Sequence, residues 1–300
     1  MNLMEATDMR AAICALVALL CPVSLSAQEL IPSPKVLKQS NDPAQFSYSW
    51  KIEKGGGRAE EWLREELSAK NGWRVGDEAS SVIHFRTLSD AENPEQYELE
   101  ITNGKVVLSA VSESGFLRAA GRFLALLRNP EVQYGADTFH IPVLKIRDWP
   151  DYPVRVMDLT MAFWEPFSNA ERLESTKRIV RILAEHGFNY VVIELGGNYE
   201  SDHFKSNRPT PWSKKDIREL VSFCNLRGIT AIPGINTIGH LGRAPQICIL
   251  KNAAGKDIGH DIRKPEFYTE YAAVLDELME LFDNPPYCRV GGDEATEVFQ

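Results

Sequence analysis

Cysteine is scarce, with five in the 300 residues. Cys14 and Cys21 fall in an N-terminal apolar run, leaving Cys224, Cys248 and Cys288. These three cannot all pair within the chain and show no C-x-x-C spacing, which argues against a disulfide framework and against a zinc site. Cys224 and Cys288 stand in apolar stretches and read as small core residues. Positive charge is also short: Lys+Arg 33 against Asp+Glu 42, a formal net charge of -9. The basic footprint of a nucleic-acid binder is missing. No block of like charges suggests an interaction tail. The apolar run at residues 11–20 is shorter than the about 20 residues that a membrane-spanning helix needs. What is present is ordinary globular composition, 44% hydrophobic and 25% charged with Gly 20 and Pro 17. That rules out collagen-like and low-complexity chains and supplies ample material for a buried core.

Pro22, Ser24, Ser26 and Ala27 follow the apolar run. Run and small residues together form the h-region and cleavage region of a secretory signal peptide, with cleavage expected after Ala27. Residues 1–27 are therefore expected to direct export to the periplasm or the extracellular space. The segment before the run carries Glu5 and Asp8 and no positive charge before Arg10, so a start at Met9 would give a conventional n-region. Acylation of Cys21 is the lesser alternative, because Leu20 is bulky where a lipoprotein has a small residue.

Residues 28–150 read as an α+β domain. Arg58–Lys70 has helical spacing with Trp62, Leu63 and Leu67 on one face. Ser81–Thr87 reads as a strand, and Tyr97–Ala110 as two strands joined at Asn103-Gly104, a strong hairpin signal. Ser114–Leu127 reads as an apolar helix and Thr138–Ile146 as a closing strand. Pro150 and Pro153 mark a joint. From residue 151 the rhythm becomes βαβα. Strands are expected at Arg155–Thr160, Tyr190–Leu195, Ile229–Ile235 and Tyr287–Val290. The helices between them are Ser168–His186, with Ser168 and Glu171 as a capping box, Ser213–Arg227, stopped by Gly228, and Pro265–Phe282. Alternation of this kind implies a parallel sheet. Four βα units are half of an eight-unit barrel, which takes roughly 250 residues. The expected architecture is an α+β N-terminal domain followed by the first half of a (β/α)8 TIM barrel, residues 151–300. The last helix is only begun by residue 300, which reads as a fragment.

In parallel α/β folds the chemistry sits at the carboxyl ends of the strands. Those ends carry Asp158, then Glu194 followed by Gly196, Gly197 and Asn198, then Asn236 and Gly239-His240, then Gly291-Gly292-Asp293-Glu294. Each has a bland alternative: Asp293 as a helix cap, Asp158 and Glu194 as ion-pair partners within the sheet, His240 as a loop residue without a role. Titratable groups at every strand end are harder to explain that way. Two adjacent acids after a Gly-Gly are the sharpest feature, since glycines permit close approach and two acids in different environments can divide acid and base work.

Arg289–Glu294 (RVGGDE) resembles the strand-four motif of glycoside hydrolase family 20, the β-N-acetylhexosaminidases. Ala231–His240 (AIPGINTIGH) resembles that family's strand-three segment, and Ser213–Arg227 the helix before it. Residues 32–158 resemble the small α+β domain that precedes the barrel there. The Ile193-Glu194 pair and the Asn236-to-His240 run are closer to the hexosaminidase D-like branch. Met161 stands where most members have an arginine, and Glu194-Leu195-Gly196-Gly197-Asn198 replaces their His-Leu-Thr-Asp-Asp.

The resemblance implies a glycosidase that removes N-acetylhexosamine with the substrate's own acetamide as nucleophile. It makes Glu294 the general acid and later base, Asp293 the residue that orients the acetamide, and His240 the group behind Glu294. Asp158, Glu194 and Asn236 are candidates for binding sugar hydroxyls or organising the pocket. Trp164 and Trp212 are candidates for stacking on a sugar face, with an ordinary packing role as the equal alternative. No metal and no organic cofactor is implied. The partners implied are N-acetylhexosamine-containing glycans, with no nucleic acid and no membrane span; the oligomeric state is not legible. Two other classes fit the same strand ends: a metal-dependent sugar-processing barrel with Glu194, His240 and Asp293 as ligands, and a non-catalytic glycan-binding barrel.

Overall fold

The structure is a computed structural model that describes residues 30–130, 132–160, 168–206, 208–238 and 244–292. It divides into two compact units. The first runs to Asp151 and includes Glu185–Gly187; the second comprises Tyr152–Ala184 and the chain from Phe188 onward.

The first unit is a mixed sheet. Its strands are β1 (Val36–Ser47), β2 (Ser49–Ile52), β3 (Arg74–Val75), β4 (Ser81–Thr87), β5 (Tyr97–Thr102), β6 (Lys105–Ala110), β7 (Gln133–Tyr134) and β8 (Thr138–Asp148). They lie in the order β1-β8-β5-β6-β4-β2-β3, with β7 also paired to β8. The hairpin forms as its turn residues require: Thr102 pairs with Lys105, and Gly104 takes a φ of 66°, which suits glycine. Along β5, Tyr97, Leu99 and Ile101 are buried while Glu98 and Glu100 face out, the period-two pattern of a half-buried strand. Helices α1 (Arg58–Ser68) and α2 (Glu113–Leu126) pack on each other, and α2 packs on β5 and β6. The Ser112 hydroxyl caps α2 by accepting from the Gly115 amide at 3.1 Å. Trp50, Phe46, Phe123 and Phe139 form a fully buried aromatic cluster. Each such ring contributes about 1.5–3 kcal/mol by leaving water.

The second unit carries four strands, β9 (Val156–Thr160), β10 (Tyr190–Glu194), β11 (Thr230–Asn236) and β14 (Arg289–Gly291). All are parallel to their neighbours, and their order in the sheet follows their order in the chain. That is the strand order of a barrel wall. Helices α3 (Asn169–Glu185), α4 (Lys214–Leu226) and α5 (Pro265–Leu281) alternate with them. The capping box of α3 is complete: the Ser168 amide and hydroxyl both donate to Glu171 Oε2, at 2.9 and 2.8 Å, and the Glu171 amide donates to Ser168 Oγ at 3.3 Å. Ser213 caps α4 through the Asp216 amide at 3.0 Å, and Gly228 follows it with a φ of 68°.

A hairpin the sequence reading lacked, β12 (Ile249–Lys251) with β13 (Asp257–His260), stands between β11 and α5. Its turn is held by Asn252 Oδ1, which accepts from the Ala254 and Lys256 amides at 3.0 Å each. The first-unit strands β1, β2, β3 and β7 were also not anticipated. In β1 the pairing with β8 shifts between Gln39 and Pro43, and a polar run of residues interrupts any alternation there. Among the described residues no helix is long and apolar enough to cross a membrane.

Candidate active site

Glu194, Gly234 and Arg289 stand side by side across β10, β11 and β14. Side chains alternate between faces along a strand. Asp158, Glu194, Gly234, Asn236, Arg289 and Gly291 therefore share one face, toward the carboxyl ends. Gly234 leaves an open lane between its neighbours, and a Cβ there would lie 3.1 Å from the Glu194 Cα. Across that lane Arg289 Nη1 donates to Glu194 Oε2 at 2.7 Å. Asn236 Nδ2 donates to Glu194 Oε1 at 2.9 Å. Arg289 Nε lies 3.6 Å from Asp158 Oδ2. Glu194 is 2% exposed, whereas the side chains of Arg289 and Asp158 are 34% and 45% exposed. The cluster thus runs from a buried carboxylate to an open one, with one guanidinium between two acids.

Gly291 is glycine for a visible reason. A Cβ on it would lie 2.2 Å from Asn236 Oδ1 and 3.1 Å from Arg289 Nη1. The close approach it permits is that of the protein's own side chains. Its carbonyl accepts from both the amide and the hydroxyl of Thr237, each at 2.9 Å. Tyr271 of α5 donates to the carbonyls of Asn236 and Thr237, at 3.1 and 2.7 Å, so a helix pins the end of β11. Asn236 is 1% exposed, yet its Oδ1 has no hydrogen-bond partner among the described residues. Asn198, also 1% exposed, has neither side-chain polar atom paired among the described residues. The turn before Asn198 is built on glycines: Gly196 has a φ of 56°, and a Cβ on Gly197 would lie 2.6 Å from the Ala244 carbonyl. An unpaired buried polar group costs about 1–3 kcal/mol.

Of the candidates read from the sequence, Asp158, Glu194 and Asn236 are brought together. His240, Asp293, Glu294 and Trp164 lie outside the described residues, as do residues 1–27 and Met161. Trp212 requires a correction: it is fully buried, with the Arg172 guanidinium 5.4 Å from its ring centroid, so it has no face to offer a sugar. Arg289 was passed over. It entered only as the first residue of the Arg289–Glu294 motif, two positions before Gly291-Gly292, with no role of its own. Among the described residues no group of three or more His, Cys, Asp or Glu is placed to hold a metal ion. The metal-site alternative also needs His240 and Asp293, which are not described, and Glu194 is already neutralised by a guanidinium.

The comparisons with known proteins agree with this layout. A family model for glycosyl hydrolase family 20, domain 2, matches residues 27–149. The model of that family's catalytic domain matches residues 191–299. The chain is 24% identical over 276 residues to a beta-hexosaminidase of Vibrio furnissii, covering 79% of this chain and 43% of that protein. It is 27% identical over 253 residues to a beta-hexosaminidase of Akkermansia muciniphila, covering 72% and 49% respectively. The chain therefore spans about half the length of the curated relatives it matches. The structure resembles that of an exo β-N-acetylglucosaminidase of Vibrio harveyi solved with N-acetylglucosamine, with TM-score 0.70 at 22% identity, over 90% of this chain and 47% of that one. That likeness supports an N-terminal domain followed by part of a TIM barrel. With an accessory-domain match on its first unit and a catalytic-domain match on its second, the chain belongs to glycosyl hydrolase family 20.

Proposed function

We propose that the full-length protein carrying this chain is an exo-acting glycoside hydrolase that removes terminal N-acetylhexosamine, GlcNAc or GalNAc, by substrate-assisted retaining catalysis. The observation that carries this reading is the catalytic-domain match over residues 191–299, which contains the Gly291-Gly292-Asp293-Glu294 sequence that begins at the last residue of β14. Relatives named beta-hexosaminidase support it.

Cleavage needs a proton donor at the leaving oxygen and stabilisation of an oxocarbenium-like centre. Glu294 supplies the proton and later takes one from water. Asp293 orients the acetamide that attacks the anomeric carbon and offsets the positive charge of the resulting ring. His240 tunes the Glu294 proton. Asp158, half open, accepts from a sugar hydroxyl. Glu194, whose two oxygens already accept from Asn236 and Arg289, organises the pocket rather than reaching the sugar. Trp164 packs on a sugar face. The reaction requires neither metal nor organic cofactor.

The test is turnover of aryl N-acetyl-β-glucosaminide and N-acetyl-β-galactosaminide by the full-length protein, with the anomer of the first product followed by NMR. Release of β-N-acetylhexosamine that persists in excess chelator is expected. No turnover, or an α product, removes the reading. Export with cleavage after Ala27 is part of the same proposal. Mass spectrometry of the mature N-terminus checks it, and an intact Met1 or Met9 on soluble cytosolic protein refutes it.

A further inference from the structure

We propose that Arg289 is the positioning residue of this site, setting the acceptor face of Asn236 through Glu194. The inference rests on the hydrolase reading and concerns a residue that reading does not use.

The geometry is a chain of fixed contacts. Arg289 reaches Glu194 across Gly234, the residue between them in the sheet, where a Cβ would crowd Val192 and Glu194 at 3.0–3.3 Å. Its Nη1 holds Glu194 Oε2 at 2.7 Å. Glu194 is 2% exposed, and a buried carboxylate is held in place by such a partner. An ionised Glu194 can only accept. Its Oε1 therefore takes a hydrogen from Asn236, which selects the amide orientation with Nδ2 toward Glu194 at 2.9 Å. The other head of the amide, Oδ1, is then turned away from Glu194 and lies over Gly291. It is buried and has no donor among the described residues. A directed acceptor without a donor, on the carboxyl-end face of a parallel sheet, suits a substrate N–H or O–H. The guanidinium also stands 3.6 Å from the open Asp158, so one residue orients both the buried and the exposed acid. Removing Arg289 takes one donor from Glu194 and leaves the Asn236 amide free to turn over.

The test compares wild type, Arg289→Met, Arg289→Lys, Glu194→Gln and the double variant Arg289→Met/Glu194→Gln in the full-length protein. Each is assayed for kcat and KM on an aryl N-acetyl-β-hexosaminide, with thermal melting as a control for folding. Arg289→Met should lower kcat/KM by roughly 10- to 100-fold, the range of one hydrogen bond to a charged group. Arg289→Lys should recover part of that loss. Because Arg289 acts through Glu194, the double variant should be little worse than either single one, whereas independent sites would multiply their effects. Folded Arg289→Met within twofold of wild type overturns the proposal, as does a double variant whose losses multiply. If Arg289→Met fails to fold, the folded Arg289→Lys and Glu194→Gln variants decide it: unchanged kcat/KM in both refutes it. Absence of turnover in wild type is a different failure, since it removes the hydrolase reading and this inference with it.

Discussion

In the first unit the buried Arg122 donates to Tyr97 at 3.1 Å and faces Asp148 at 3.4 Å. Tyr97 in turn donates to Asp148 at 3.2 Å, and Arg118 pairs separately with Glu95 at 3.5 Å. Each of these guanidiniums has its own carboxylate. In the second unit Arg289 serves two carboxylates, and the side chains of Asn198 and Asn236 keep polar atoms with no partner among the described residues. The first unit also holds buried polar atoms with no partner among the described residues, such as the Trp50 and Trp62 indole N–H groups, and an arginine, Arg128, that serves two carboxylates, Glu66 and Glu185. What sets the second unit's cluster apart is its place at the carboxyl ends of parallel strands, where unused hydrogen-bonding capacity can serve something that is not protein. By that position the two units read as a packing module and a chemical one.

The contrast can be broken or sharpened by substitution. The largest effect is expected where the chemistry is assigned. Glu294→Gln should reduce hydrolysis of substrates with ordinary alcohol leaving groups by roughly 10²–10⁴-fold. Activated aryl substrates should suffer less in the first step, because their leaving groups need less protonation. Asp293→Asn should harm both substrate types alike, since its work is on the acetamide. Steady-state kinetics on two leaving groups checks this, and a near wild-type Asp293→Asn would leave helix capping as the better account of Asp293.

In the packing unit the same measurements should show stability loss without loss of chemistry. Trp50→Ala empties a fully buried site stacked on Phe46 and Trp73. It should cost about 3–5 kcal/mol in urea unfolding, with kcat per folded molecule unchanged. A matching fall in kcat would end the division of labour.

A pH effect belongs to the second unit. His260 is 1% exposed; burial lowers its pKa, while the Pro245 carbonyl, 2.9 Å from Nε2, opposes the shift. The unfolded chain therefore binds a proton at a higher pH than the folded one. The stability that the neutral ring contributes is complete above its ordinary value of 6.5 and is lost as pH falls through that value toward the folded one. Relative to His260→Gln, wild type should lose stability between pH 7.5 and 5, by at most about 1.4 kcal/mol per pH unit. A constant difference in urea midpoint across that range would refute it.

The smallest effect should be the same in both units. Ser112→Ala and Ser213→Ala each remove one N-cap bond and should each cost about 1 kcal/mol, read as a shift in thermal midpoint. Unequal losses would show that the capping signals are not the local, transferable features they resemble.

Much of the layout was legible from neighbours in sequence. The hairpin at Asn103-Gly104, the capping box at Ser168 and Glu171, and the βα alternation after residue 151 all rest on residues within one turn of each other. The short strands β2, β3 and β7 and the hairpin β12–β13 were not legible. Such segments are too brief for a period to show, and the sheet, not propensity, makes them strands. The burial of Trp212 was hidden for a similar reason: sequence places it after a strand but does not say which way its ring turns.

What the sequence determined alone is which chemistry is present, with carboxylates, an asparagine and a Gly-Gly at the ends of four successive strands. Strand and helix periodicity suffices for that, because both are short-range. What only the tertiary structure decided is who meets whom. Arg289 and Glu194 are 95 positions apart, and nothing local joins them. The register of β10, β11 and β14 puts them in one row, with Gly234 between them, where a Cβ would crowd Glu194 itself. Register is set by packing a whole sheet against its helices, and a shift of one residue would turn every one of these side chains to the opposite face.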